Sequence, residues 1–179
     1  MINQPRGWKG RNVGIQLKRM GLAALMAGTI LVTACTATPA PGGGPFSRPQ
    51  VAALQKAGFD KTDRGWEFSV SDKLLFATDK AEVLPGQVTA IRRVTQALIG
   101  VGIRHVEVEG HTDGTGTVRY NDALSVKRAS AVADAMIAAG MPRENVKVVG
   151  LGERYPVESN ATAAGRAENR RVVMLITAP

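Results

Sequence analysis

Between residues 109 and 128 the chain reads EGHTDGTGTVRYNDALSVKR, a stretch that puts polar groups where the surrounding pattern asks for apolar ones. It follows an alternating segment, residues 103–109, that reads as a strand, and it leads into a helix over 121–139 closed by Gly140 and Pro142. On that helix Leu124, Ala131, Val132, Ala135, Met136 and Ala139 recur at three-and-four spacing, which defines one buried face. Arg128 falls on the same face. A guanidinium does not neutralise, and leaving it buried and unpaired costs several kcal/mol, so it requires an anion. Asp113, in the loop between strand and helix, is the nearest candidate, and the two converge at the strand's carboxyl end.

The rest of the chain supplies a frame for this unit. Segments 66–70, 73–76, 146–151 and 171–177 read as extended, and 87–99 reads as a helix with Val88, Ile91, Val94 and Leu98 on one face. Residues 152–165 look irregular, with a helical turn at 166–170, and PQVAALQKAG at 49–58 is a brief helix with Pro at its entry and Gly at its exit. The expected fold is α/β, an α+β sandwich in which helices pack on one face of a mixed sheet. One core of this size is expected in the region 65–179, preceded by a short helix and connector at 50–64.

Charge misleads at first sight. The 23 Lys and Arg exceed the 15 Asp and Glu, but Arg6, Lys9, Arg11, Lys18 and Arg19 precede any folded pattern, leaving 18 against 15. That balance is ordinary, and with 4% aromatic residues and no aromatic–basic interleaving no nucleic acid is expected as a partner. The basic start leads instead into MGLAALMAGTILV at 20–32, about 13 apolar residues where a membrane span needs about 20. It reads as the core of a signal peptide over 1–34. The chain's one cysteine follows at once in Val32-Thr33-Ala34-Cys35, which resembles the cleavage box of bacterial lipoproteins. That resemblance implies acylation of Cys35, palmitate among the chains, and anchoring in membrane lipid. Thr36, in place of the Asp that retains lipoproteins at the inner membrane, implies the outer membrane with the domain facing the periplasm. The lipidated Cys35 heads a Pro- and Gly-rich tether running to 49. Residues 36–49 reach at most about 45 to 50 Å when extended.

Three blocks give a family resemblance: LLFATDKAEV, GHTDGTGTVRYNDALSVKRASAV and GLGERYPVESNATAAGRAENRRV. In this order and spacing they resemble the signature blocks of the C-terminal domain of outer-membrane protein A, the OmpA family, whose fold is a βαβαβ-type mixed sheet. The resemblance implies non-covalent binding of peptidoglycan through the diaminopimelate of its stem peptide. By motif position, Asp113 of the His111-Thr112-Asp113 triplet and Arg128 of the LSVKRA segment are the implied ligand pair, and Thr112, Asp79, Asn121, Leu124, Asn169 and Arg170 complete the implied site. Thr78 departs from the pattern, since an aromatic residue often stands there. The chemistry agrees: the free end of diaminopimelate carries an ammonium and a carboxylate on one carbon, so Asp113 suits the first and the planar fork of Arg128 the second.

Other chemistries find little support. His105, Glu107, Glu109 and His111 share one strand parity, but their spacing matches no zinc signature. No serine sits in a nucleophile elbow, and GTGT lacks the Lys-Ser or Lys-Thr of a phosphate loop, so neither an enzyme nor a cofactor is expected. The segments AALQKAGFDKTDRGWEFSVSDKLLF and AGMPRENVKVVGLG further resemble a subgroup of small lipoproteins, the YfiB type. In that group the resemblance implies capture of a periplasmic repressor, YfiR, which frees an inner-membrane diguanylate cyclase. A passive tether between membrane and wall is the competing role, and a homodimer is a further state to test.

The lipoprotein reading has a direct check. Cys35→Ser is expected to leave a soluble or unprocessed chain, whereas the parent fractionates with the outer membrane. Mass spectrometry that finds an unmodified Cys35 in the parent overturns it.

Overall fold

The computed structural model describes residues 45–76 and 81–178. Cys35 and the apolar segment before it, the tether as far as residue 44, and Thr78 and Asp79 lie outside the described residues. In chain order the elements are α1 (Arg48–Lys56), β1 (Asp60–Lys61), β2 (Trp66–Ser71), α2 (Asp72–Leu75), α3 (Pro85–Gly100), β3 (Val106–His111), α4 (Val118–Ala138), β4 (Val146–Gly152), α5 (Ala163–Asn169) and β5 (Arg171–Ile176). No helix among the described residues is long and apolar enough to cross a membrane.

The strands form one mixed sheet in the order β1-β2-β5-β3-β4. β3 and β4 are parallel, which requires a crossover, and α4 supplies it; the other pairings are antiparallel. Alternation along each strand then assigns the faces. Val106 and Val108 of β3 and Val172, Met174 and Ile176 of β5 enter a core with Ile91 and Leu98 of α3 and Ala129, Val132, Ala133 and Met136 of α4. Glu107, Glu109 and His111 alternate to the opposite face, where Lys147 Nζ donates to Glu107 at 3.1 Å and Arg64 pairs with Glu109. The α+β sandwich expected from the sequence is therefore the fold observed.

Two departures have physical reasons. Residues 73–76, expected to be extended, belong mostly to α2: Ser71 is the extended residue before it, Asp72 opens the first turn, and only Phe76 bridges onward, to Val83. Two adjacent leucines fit a strand or a helix equally, and here Leu75 is buried while Leu74 is 58% exposed. The buried face of α4 is also rotated, being made of Asn121, Ser125, Arg128, Ala129, Val132, Ala133 and Met136. In an alanine-rich helix the apolar stripe is poorly marked, and small and polar residues take the inner positions because the sheet lies so close.

That closeness rests on two glycines paired across β3 and β4, Gly110 and Gly150. A β-carbon on Gly110 would lie 2.0 Å from the carbonyl oxygen of Ser125, and one on Gly150 would lie 2.3 Å from Cγ2 of Val126. Gly110→Ala is expected to destabilise the domain by about 2 to 3 kcal/mol, because the obstructing atom is helix backbone that cannot step aside. Gly100→Ala, where nothing lies within 4 Å, serves as the control and is expected to be neutral or slightly stabilising. Denaturant titration of both variants checks the contrast.

Candidate functional site

At one end of the sheet four charged side chains meet from four parts of the chain. Asp72 opens α2, Asp113 follows β3, Arg128 sits midway along α4, and Arg170 lies between α5 and β5. Backbone bonds fix their starting points: the Asp72 amide donates to the Arg170 carbonyl at 2.8 Å, and the Thr112 amide to the Gly152 carbonyl at 2.9 Å. Arg170 Nη1 donates to Asp113 Oδ2 at 2.6 Å. Asp72 Oδ2 lies 3.0 Å from Arg128 Nη2 and 3.9 Å from Arg170 Nε. The charges thus alternate in a row, Arg128, Asp72, Arg170, Asp113.

Arg128 does not pair with Asp113 as the sequence alone indicated. Its anion is Asp72, because the inner face of α4 aims the guanidinium toward the start of α2, while the C-terminal end of α5 brings Arg170 to Asp113. The Arg128 side chain is only 6% exposed, and its guanidinium carbon lies 5.6 Å from the centre of the Phe76 ring, a cation–π contact. Its Nε is buried and makes no hydrogen bond among the described residues. Such a donor is costly when unmet and points to an acceptor brought from outside.

Asp113 is presented by a tightly held loop. Its Oδ1 accepts from the Thr115 amide at 2.9 Å, closing an Asx-type turn. Asn121 Nδ2 reaches the carbonyls of Asp113 at 3.2 Å and Thr115 at 3.1 Å, and Glu153 Oε2 at 2.5 Å. Asn160 Oδ1 accepts from the Gly114 amide at 3.0 Å. Burial pushes the Asp113 carboxyl pKa up, but donation from Arg170 and Thr115 outweighs it and leaves the group below its usual range. Thr117 caps α4 by accepting from the Tyr120 amide at 3.2 Å, so the helix begins at Val118, three residues before the sequence places it.

The remaining sequence-named residues take distinct places. Asn169 is fully buried and its amide is used up internally: Oδ1 accepts from Val157 and Glu158 at 2.8 and 2.9 Å, and Nδ2 donates to the Glu158 carbonyl at 2.7 Å and to Asn160 Oδ1 at 2.9 Å. It braces the 157–160 loop, and through Asn160 the Asp113 loop, and does not reach outward. Arg171 likewise braces, donating to the Tyr155 and Asn169 carbonyls. Thr112 is buried, its hydroxyl unbonded among the described residues, and Leu124 is half-buried one turn before Arg128. Among the described residues, His111 makes no hydrogen bond through either ring nitrogen; Nε2 lies 3.8 Å from Glu109 Oε2, and burial pushes its pKa down. Asp72 is the site residue that sequence reading missed. Its signal was present in Ser71-Asp72 ahead of an apolar pair, the pattern of a helix start.

The OmpA family profile matches residues 75–170. The outer-membrane lipoprotein YfiB of Pseudomonas aeruginosa is 40% identical over 160 residues, covering 89% of this chain and 94% of that protein. Among solved structures, the cell wall anchor of the Pseudomonas aeruginosa T6SS superposes with a TM-score of 0.62 at 31% identity, covering 75% of this chain and 99% of that one. The peptidoglycan-associated lipoprotein from Burkholderia pseudomallei does so with a TM-score of 0.53 at 33% identity, covering 60% and 87%. The match over most of the chain's length, blocks and fold alike, makes it a member of the OmpA family.

Proposed function

We propose that the chain is a peptidoglycan-binding lipoprotein that holds the free end of diaminopimelate at the row of charges described above. The observation that carries this reading is the buried, unmet Nε of Arg128 beside carboxylates already engaged by arginine. In this reading the ligand's carboxylate takes Arg128 and its ammonium takes Asp113. Stacking on Phe76 and the contact with Asp72 hold the guanidinium in place beforehand, so little rotamer entropy is lost on binding. The names of the solved relatives, a cell wall anchor and a peptidoglycan-associated lipoprotein, support the same ligand class.

A signalling role is the finer reading, in which the wall-bound form captures a periplasmic repressor of the YfiR type and so raises cyclic-di-GMP. A feature away from the charge row supports it. Beside α1 runs a groove of about 760 Å³ lined by Phe46, Val51 and Trp66 among others, with Arg48, Lys61 and Arg64 at hand. An apolar floor with basic residues suits a protein partner. Purified repressor of that type, titrated against the parent and Val51→Asp, is expected to bind the first and lose the second; equal binding favours the passive tether.

For the wall site, sacculus pull-down with the full chain in detergent is the test. Asp113→Ala and Arg128→Ala are each expected to cost about 2 to 5 kcal/mol of binding, and Arg128→Lys nearly as much, since a point charge does not replace the fork. Variants that remain folded and bind like the parent overturn the assignment. The pH dependence follows from Asp113. A carboxylate whose folded pKa is depressed contributes stability above its unfolded pKa, about 3.9, and loses it as pH falls through the folded value. The Asp113 contribution is therefore expected to be constant between pH 7 and 5 and to fade only below about pH 4, an acid limb that Asp113→Asn removes from a thermal-melt series.

A further inference from the structure

We propose that Asp72 sets the charge selectivity of the site, so that it admits a zwitterionic amino-acid end and rejects the same end once its amine or its carboxylate has been neutralised. The inference rests on the peptidoglycan reading and goes beyond it, because it assigns a role to a residue that need not touch the ligand.

The argument is one of charge balance in a poorly solvated place. Arg128, Asp72, Arg170 and Asp113 form a contiguous row with two positive and two negative members. The Arg128, Asp72 and Asp113 side chains are 6%, 15% and 11% exposed, so an excess charge among them is screened weakly. Arg170, at 30%, is the most exposed member. An incoming ammonium competes with it for Asp113. The displaced guanidinium does not have to go far, because its Nε is already 3.9 Å from Asp72 Oδ2. The incoming carboxylate meets the unused Nε of Arg128. Binding is then an exchange of ion pairs: Asp113 passes from Arg170 to the ligand's ammonium, Arg170 passes to Asp72, and Arg128 gains the ligand's carboxylate. Among these four residues every charge is matched before and after. A ligand lacking the ammonium leaves the row one charge negative, and one lacking the carboxylate leaves it one charge positive. Among the four described residues Asp72 makes the row neutral, and its own position is fixed by its backbone bond to the Arg170 carbonyl at 2.8 Å.

The test uses three soluble muropeptides ending in diaminopimelate: unmodified, with the free amine acetylated, and with the carboxyl on the same carbon amidated. Titration calorimetry on the full chain in detergent is expected to show the unmodified peptide bound at least about tenfold more tightly than either modified one. Asp72→Asn, which leaves the row one charge positive, is expected to narrow the preference over the acetylated peptide by about tenfold and to widen that over the amidated peptide. Arg170→Gln, which leaves it one charge negative, is expected to do the reverse, and this variant decides the matter if Asp72→Asn does not fold. Asp72→Glu keeps the charge and is expected to keep the parent's ratios. Ratios unchanged in folded Asp72→Asn or Arg170→Gln, or shifts of the same sign in both, overturn the proposal. A parent that binds none of the three peptides overturns the peptidoglycan reading itself, whereas a parent that binds all three equally overturns only the selectivity.

Discussion

Everything in this domain depends on how closely α4 is allowed to approach the sheet. Two glycines paired across the parallel strands leave a bare strip, and the backbone of the helix at Ser125 lies on it. The fit is sealed by polar contacts, since Ser125 Oγ accepts from the Gly152 amide at 3.0 Å and donates to the Asp122 carbonyl at 2.8 Å. Arg128 follows Ser125 by three residues on the same face, so the contact that sets the depth of the helix also sets where the guanidinium ends. A helix standing higher on ordinary side chains would carry Arg128 away from Asp72 and Phe76. The chemistry at the end of the sheet is therefore a consequence of packing in its middle.

Around the charges, neutral amides do the positioning. Asn121, Asn160 and Asn169 tie the loop after β3 to the loop before α5, and none of them carries a charge that would compete for the ligand. An amide offers donors and acceptors together, so a few such residues satisfy several backbone groups that would otherwise be buried unmet. The division of labour explains why a short motif can look uniformly polar while only part of it faces outward.

The elements were largely legible in the sequence because their periods are long and unmixed: the helices at 87–99 and 121–139 and the strands at 103–109, 146–151 and 171–177 all have counterparts within a few residues. The two-residue strand β1 was not, being too short to show a period, and the start of α2 was lost to an ambiguous pair of leucines. The site was legible in part. Asp113, Arg128 and Arg170 stand together, as motif position implied, but which cation meets which anion was not readable from spacing. Pairing is decided by where α5 ends and α2 begins, two short elements whose boundaries are set by tertiary contacts. Asn169 shows the complementary difficulty: a polar residue inside a motif looks like a ligand contact until its amide is seen to be fully used.

The position of β5 has a consequence for how the domain comes into being. It follows the other four described strands in sequence, yet it lies between β2 and β3 and pairs with both. Until residues 171–176 arrive, the early hairpin and the β3–α4–β4 unit have no common edge, and each alone exposes unpaired backbone and half of a core. Closure of the sheet therefore waits for β5 and is dominated by contacts between residues distant in sequence, so that the two halves are joined by one central strand and not by a local turn.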